Sequence, residues 1–167
     1  MRRLLASGLA AAAFVATTCA ALPATAQEYL PAASAATSSG LEGAGRGFQR
    51  ARTRVRLALE LRVDERPLDA LVFAALADLE PRAAFGAELR YMRSIGSTVA
   101  VSAGAIAYFV PGTLVGPCAG LEVRVPLSKK TQLVVGPEFA VFPLGGDLPE
   151  RSVIWQAFAQ GGFRVDL

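Results

Sequence analysis

The sequence predicts an all-β fold, an antiparallel up-and-down transmembrane β-barrel of about eight strands. Three observations carry that prediction. Apolar and polar residues alternate with a period of two along most of the chain beyond Thr53. The alternating runs match the ~9 to 11 residues that a tilted strand needs to cross a bilayer, and small or turn-forming residues separate them. A segment with the layout of an export signal comes first.

That segment is Met1 to Ala26. It opens on Arg2-Arg3, runs apolar from Leu4 to Val15, and closes on Ala24-Thr25-Ala26 before Gln27, the pattern of a secretory signal peptide cut after Ala26. As an anchor helix, the apolar run falls short of the ~20 residues a span requires, and Pro23 interrupts it. A lipoprotein signal would place a Leu and small residues before Cys19, where Thr17-Thr18 stand. Removing 26 of the 167 residues leaves 141, and the loss of Arg2 and Arg3 takes 17 basic and 14 acidic side chains to 15 and 14. So even a balance offers no case for nucleic acid or an anionic surface as partner. Cys19 departs too, which leaves Cys118 without an intramolecular partner and the chain without a disulfide framework.

Residues 27–52 read as a flexible linker. From Gln27 to Gly47 the chain is rich in Ala, Ser and Gly, contains Pro31 and shows little periodicity. The texture changes at Thr53, and residues 53–167 are the expected barrel domain. Val55, Leu57, Leu59, Leu61 and Val63 alternate with Arg54, Arg56, Ala58, Glu60 and Arg62, a two-faced strand. Leu68 to Leu79 is ambiguous. Its apolar residues fit helical spacing between Pro67 and Pro81, yet its neighbours on both sides are strands reached by short turns, which favours a strand apolar on both faces.

Arg82 to Phe109 is the clearest hairpin. Phe85, Ala87, Leu89 and Tyr91 share one face of the first arm, Val99, Val101, Ala103, Ala105, Ala107 and Phe109 one face of the second, and Ser94-Ile95-Gly96-Ser97 joins them. Val110-Pro111-Gly112-Thr113 turns the chain into Leu114 to Val125, where Pro117 cannot donate to a ladder and signals a bulge or an edge. Pro126 to Lys130 turns it again into Gln132 to Val141, with Pro137 in a similar position. Pro143 to Ser152 is the longest connection, and Val153 to Leu167 is the last alternating run. Seven strands are legible, whereas bacterial single-chain barrels have an even number. An eighth could come from Gly47 to Arg52 or Pro143 to Ser152, while a helix at Leu68 would leave six; eight is the expectation.

Side by side, the strands divide consistently. One face carries Val, Leu, Ala and Phe; the other carries Arg56, Glu60, Arg62, Glu88, Arg90, Glu122, Arg124, Glu138, Gln156, Gln160 and Arg164. A soluble barrel would put the apolar face inside. A membrane barrel closes around the polar face and satisfies its backbone by closure. The continuity of the apolar face favours lipid outside and charges within.

Signal peptide, strands of membrane-crossing length, tight turns and an alternating last strand together resemble the small outer-membrane β-barrel proteins of Gram-negative bacteria. The resemblance spans Thr53 to Leu167 and is one of pattern. Phe163, Val165 and Leu167 are similar to the C-terminal signal that the barrel-insertion machinery reads, with Leu in place of the usual final aromatic. It implies an outer-membrane location after Sec-dependent export, with membrane lipid and the insertion machinery as partners.

The chemistry points away from catalysis. The chain has no His, which the enzymatic barrels of this resemblance use as a base. Lys129 and Lys130 beside Ser128 and Thr131 read as a solvated turn, and Asp64-Glu65 or Asp147 with Glu150 lack a dense metal-ligand spacing. No catalytic, metal or cofactor site is expected. Nine inward charges, Arg56, Glu60, Arg62, Glu88, Arg90, Glu122, Arg124, Glu138 and Arg164, should instead pair, because eight strands enclose little more than side chains and an isolated buried charge is costly. Cys118 would be a small filler among them. Tyr91, Tyr108, Phe109, Phe142 and Trp155 fall near strand ends, where an aromatic belt would meet headgroups. The sequence thus favours a non-enzymatic envelope protein with a structural or surface-contact role. Alternatives are a soluble periplasmic barrel for a hydrophobic ligand and a narrow passive channel.

Overall fold

Eight long strands, each hydrogen-bonded antiparallel to its neighbours, close on themselves in a computed structural model that describes residues 29–63, 65–80, 82–146, 148 and 153–167. They are β1 (Tyr29–Ala44), β2 (Gly47–Val63), β3 (Arg66–Glu80), β4 (Ala84–Ile95), β5 (Val99–Val110), β6 (Leu114–Pro126), β7 (Thr131–Phe142) and β9 (Ile154–Asp166), while the two-residue β8 (Leu144–Gly145) pairs antiparallel with Leu114 and Val115 of β6. Each pairs with the next in sequence, and β9 returns to pair with β1, so no long edge is left open. Among the described residues there is no helix.

The eighth strand is β1, and it overturns the expected linker. From Tyr29 onward residues 27–52 are two strands joined by the Gly45-Arg46 turn, not flexible lead-in: β1 pairs with β2 from Tyr29↔Val63 to Ala44↔Gly47 and with β9 from Ala32↔Asp166 to Ala44↔Ile154. Among the described residues the barrel therefore begins at Tyr29, not at residue 53. Small residues on both faces of β1 hide its period, and their purpose is steric. Ala36 sits across from Arg56, Ser38 from Arg54 and Gln160, and Gly40 from Phe158, so the smallest residues stand beside the largest in the lumen. At Gly40 a Cβ would lie 2.1 Å from the Ala157 carbonyl oxygen. The signal segment 1–26 lies outside the described residues.

The ambiguous Leu68 segment is strand, inside β3. Ladder partners on both sides override its helical spacing, since β2 and β4 each pair with it along most of its length. Turns at Gly45 and Gly96 use positive φ, 58° and 71°, where glycine is free of the Cβ penalty.

Along the long strands the buried side chains are almost all even-numbered. Leu57, Leu89 and Val101 are 58%, 48% and 37% exposed on the outside, whereas Glu60 and Arg90 are each 2% exposed within. Two of the expected belt aromatics fall on the inner side of this rule: Tyr108 and Phe142 are buried, their ring centroids 5.6 Å apart. They belong to an apolar cluster with Leu76, Ile106, Cys118 and Ile154, which partly buried Leu114 and Leu148 pack against. Tyr91 and Phe109 do face outward.

Both prolines mark the same seam. β6 and β7 pair from Cys118↔Ala140 to Gly120↔Glu138 and again from Val123↔Val135 to Pro126↔Gln132. Continuing that register would set Pro117 across from Val141 and Pro137 across from Leu121, and neither pair forms. Each proline keeps its partner on the other side, Ala105 on β5 and Ala159 on β9. A missing N–H thus interrupts one ladder without opening the barrel.

Candidate functional site: the charged lumen

An inward-facing position on a barrel strand points at the strands opposite as well as at its neighbours, so long side chains can meet across the axis. Six arginines and six carboxylates are buried there among the described residues: Arg52, Arg54, Arg56, Arg90, Arg124 and Arg164 against Glu42, Glu60, Asp78, Glu88, Glu122 and Glu138. Formal charge cancels. Both lysines, Lys129 and Lys130, lie in the β6–β7 turn, so every lumenal cation is a guanidinium, whose planar fork can hold two carboxylates at once.

The ion pairs form two chains. In the upper one, toward the β1–β2 turn, Glu42 pairs with Arg50 at the rim (2.7 Å) and with Arg52. Arg52 reaches Asp78 (3.1 Å), Asp78 accepts from Arg54 Nε (2.9 Å), and Arg54 approaches Glu138 (3.9 Å). Glu138 meets Arg90 (2.9 Å), Arg90 meets Glu88 (2.6 Å), and Glu88 pairs with Arg56. Neutral groups complete it. Arg54 donates to Gln156 Oε1 (2.6 Å) and to the Tyr108 hydroxyl, and its guanidinium stands 4.0 Å from the Phe158 ring centroid. Gln156 in turn donates to Glu42 (2.7 Å).

The lower chain is separate. Glu60 receives Arg164 (2.8 Å), Arg62 (3.2 Å) and Arg124 (3.7 Å); Arg124 also pairs with Glu122 (3.0 Å), and Arg164 with Asp166 at the rim (2.6 Å). Among the described residues no ion pair joins it to the upper chain.

Eight of the nine charges expected from sequence are buried in these chains, and Arg62 sits at the lower rim, partly exposed. Glu42, Arg52, Arg54 and Asp78 were not among the nine. Arg54 and Asp78 continue the inward alternation of Arg56 and Leu76, a signal that period two could have supplied. Glu42 and Arg52 lay in the supposed linker. Cys118 is buried, near this set but within the apolar cluster. No group of His, Cys, Asp and Glu suited to a metal occurs among the described residues.

No protein-family model and no curated protein matches the chain. Solved structures do. The fold is similar to Neisserial surface protein A, with a TM-score of 0.58 and 13% identity over 82% of this chain and 97% of that one. This chain has the fold of the eight-stranded outer-membrane barrels. A second barrel of that fold is Ail, the attachment invasion locus protein of Yersinia pestis, solved with the heparin analogue sucrose octasulfate, with a TM-score of 0.52 and 9% identity over 82% of this chain and 99% of that one. At such identities the likeness is one of architecture alone.

Proposed function

We propose that the chain is a non-enzymatic outer-membrane protein whose lumen is filled by paired arginines and carboxylates, with a structural or surface-contact role in the cell envelope. The observation that carries it is the reversal of the soluble pattern: Leu57, Phe73, Leu89, Phe139 and Phe163 face outward while charged groups are enclosed. Exposed apolar surface on this scale calls for hydrocarbon as its solvent. That surface disfavours a soluble barrel for a hydrophobic ligand, because most of the large apolar side chains face outward, and those inside, Leu76, Ile106 and Phe142 among them, pack against one another. Pairing of the lumenal charges disfavours a standing pore.

Export through the Sec route with cleavage after Ala26 delivers the chain to the periplasm in this reading, and the barrel-insertion machinery engages the last strand through Phe163, Val165 and Leu167. The two ends of the barrel strand order share one rim, since Leu167 donates its N–H to the Pro31 carbonyl. That rim is periplasmic in this reading, and Phe142 and Ile154, which flank the longest connection, stand at the opposite, outward rim with the β1–β2 turn. Fractionation tests the proposal. Recovery in the outer-membrane fraction with heat-modifiable migration in detergent supports it, and full recovery in a salt-released periplasmic extract overturns it.

A further inference from the structure

Between the two ion-pair chains lies a chamber of about 10 Å³, lined by Ser34, Arg56, Glu60, Glu122, Val134 and Gln160 among others. Its volume is near the minimum that accommodates one water molecule. Two of its side chains carry a buried nitrogen with no hydrogen-bond partner, Arg56 Nη2 and Gln160 Nε2, and both residues are more than nine-tenths buried. Arg56 ends the upper chain, whereas Glu60 and Glu122 belong to the lower one.

We propose that this chamber is a binding site for a single water molecule, which accepts hydrogen bonds from Arg56 and Gln160, donates to the Glu60 or Glu122 carboxylate, and so joins the two chains into one network. Two donors without partners would by themselves also suit a small anion. The two carboxylates decide against it, because an anion there would face like charge in a poorly screened interior. Water supplies both acceptor and donor capacity, and a buried water typically makes about three such bonds. The inference rests on lumenal geometry and stands whether or not lipid surrounds the barrel.

Rotating-frame Overhauser spectroscopy on the isotopically labelled, folded barrel in detergent micelles tests it, since the sign of a cross-peak separates dipolar contact with water from proton exchange. The expected result is a dipolar cross-peak between water and the Gln160 side-chain amide. A visible Gln160 amide with no such cross-peak overturns the proposal. Val134→Ile adds one methylene to the chamber wall and is expected to remove the cross-peak; its persistence in that folded variant contradicts the site. Should Val134→Ile not fold, the unsubstituted protein still decides. Crystals soaked in bromide supply the anion arm: anomalous density between Arg56 and Gln160 would replace water with an anion, and none is expected there.

Discussion

Arg90 on β4 and Glu138 on β7 meet at 2.9 Å across the lumen, although two other strands, β5 and β6, separate theirs around the wall. The pair ties opposite sides of the barrel together. Arg54, from β2, approaches the same carboxylate.

Removing that carboxylate leaves Arg90 and Arg54 short of a counter-charge in an interior with little room for water to hydrate them. Glu138→Leu is expected to destabilise the folded barrel by about 3 kcal/mol. Replacing both partners, as Arg90→Met with Glu138→Leu, should cost less than Glu138→Leu alone, because no orphaned charge remains. Urea unfolding in lipid vesicles, arranged as a double-mutant cycle, measures the coupling.

Gly40→Ala places a methyl group against the Ala157 carbonyl and the Phe158 ring at the β1–β9 junction. A loss of about 1–3 kcal/mol is expected from the overpacking. Gly161→Ala, whose Cβ would meet nothing within 4 Å, provides the contrast and should leave the fraction of heat-modifiable, folded protein unchanged.

The interrupted β6–β7 seam should open before the continuous β1–β2 one. Seven residue pairs connect β6 to β7, against sixteen between β1 and β2. Hydrogen exchange in micelles is expected to show faster exchange in β6 and β7 than in β1 and β2. Equal protection throughout would show that the proline gap has no energetic consequence.

A lumen closed by neutral, paired charge should not conduct. Planar bilayers containing the protein are expected to show no steady single-channel current, and a reproducible unitary conductance would favour the channel reading.

Much of this architecture is readable from period two. In β2 and β4 large apolar and charged residues alternate, so Leu57 against Arg56 and Leu89 against Arg90 announce their faces directly. β1 was illegible because Ala, Ser and Gly occupy both its faces, a choice made by the bulk of Arg54, Arg56 and Phe158 beside it rather than by any local preference. The same blindness concealed Glu42 and Arg52. Leu68 to Leu79 is ambiguous in another way: a strand followed by Pro81 and apolar on both faces mimics a helix, and only its short connections to neighbouring strands favour the strand that its ladders then show. Partners are harder still. Alternation shows that Arg90 and Glu138 point inward, but closure of the whole barrel decides that they meet, and Arg56 could as well have found another carboxylate.

The central claim is that the apolar exterior contacts hydrocarbon, and collision-based spin-label accessibility measures that contact most directly. Nitroxides attached after Leu57→Cys, Leu89→Cys and Val101→Cys, each in a Cys118→Ala background and reconstituted in vesicles, should be relaxed by oxygen dissolved in the bilayer and shielded from a water-soluble nickel chelate. Free access of the chelate at all three positions in the folded protein would contradict the account.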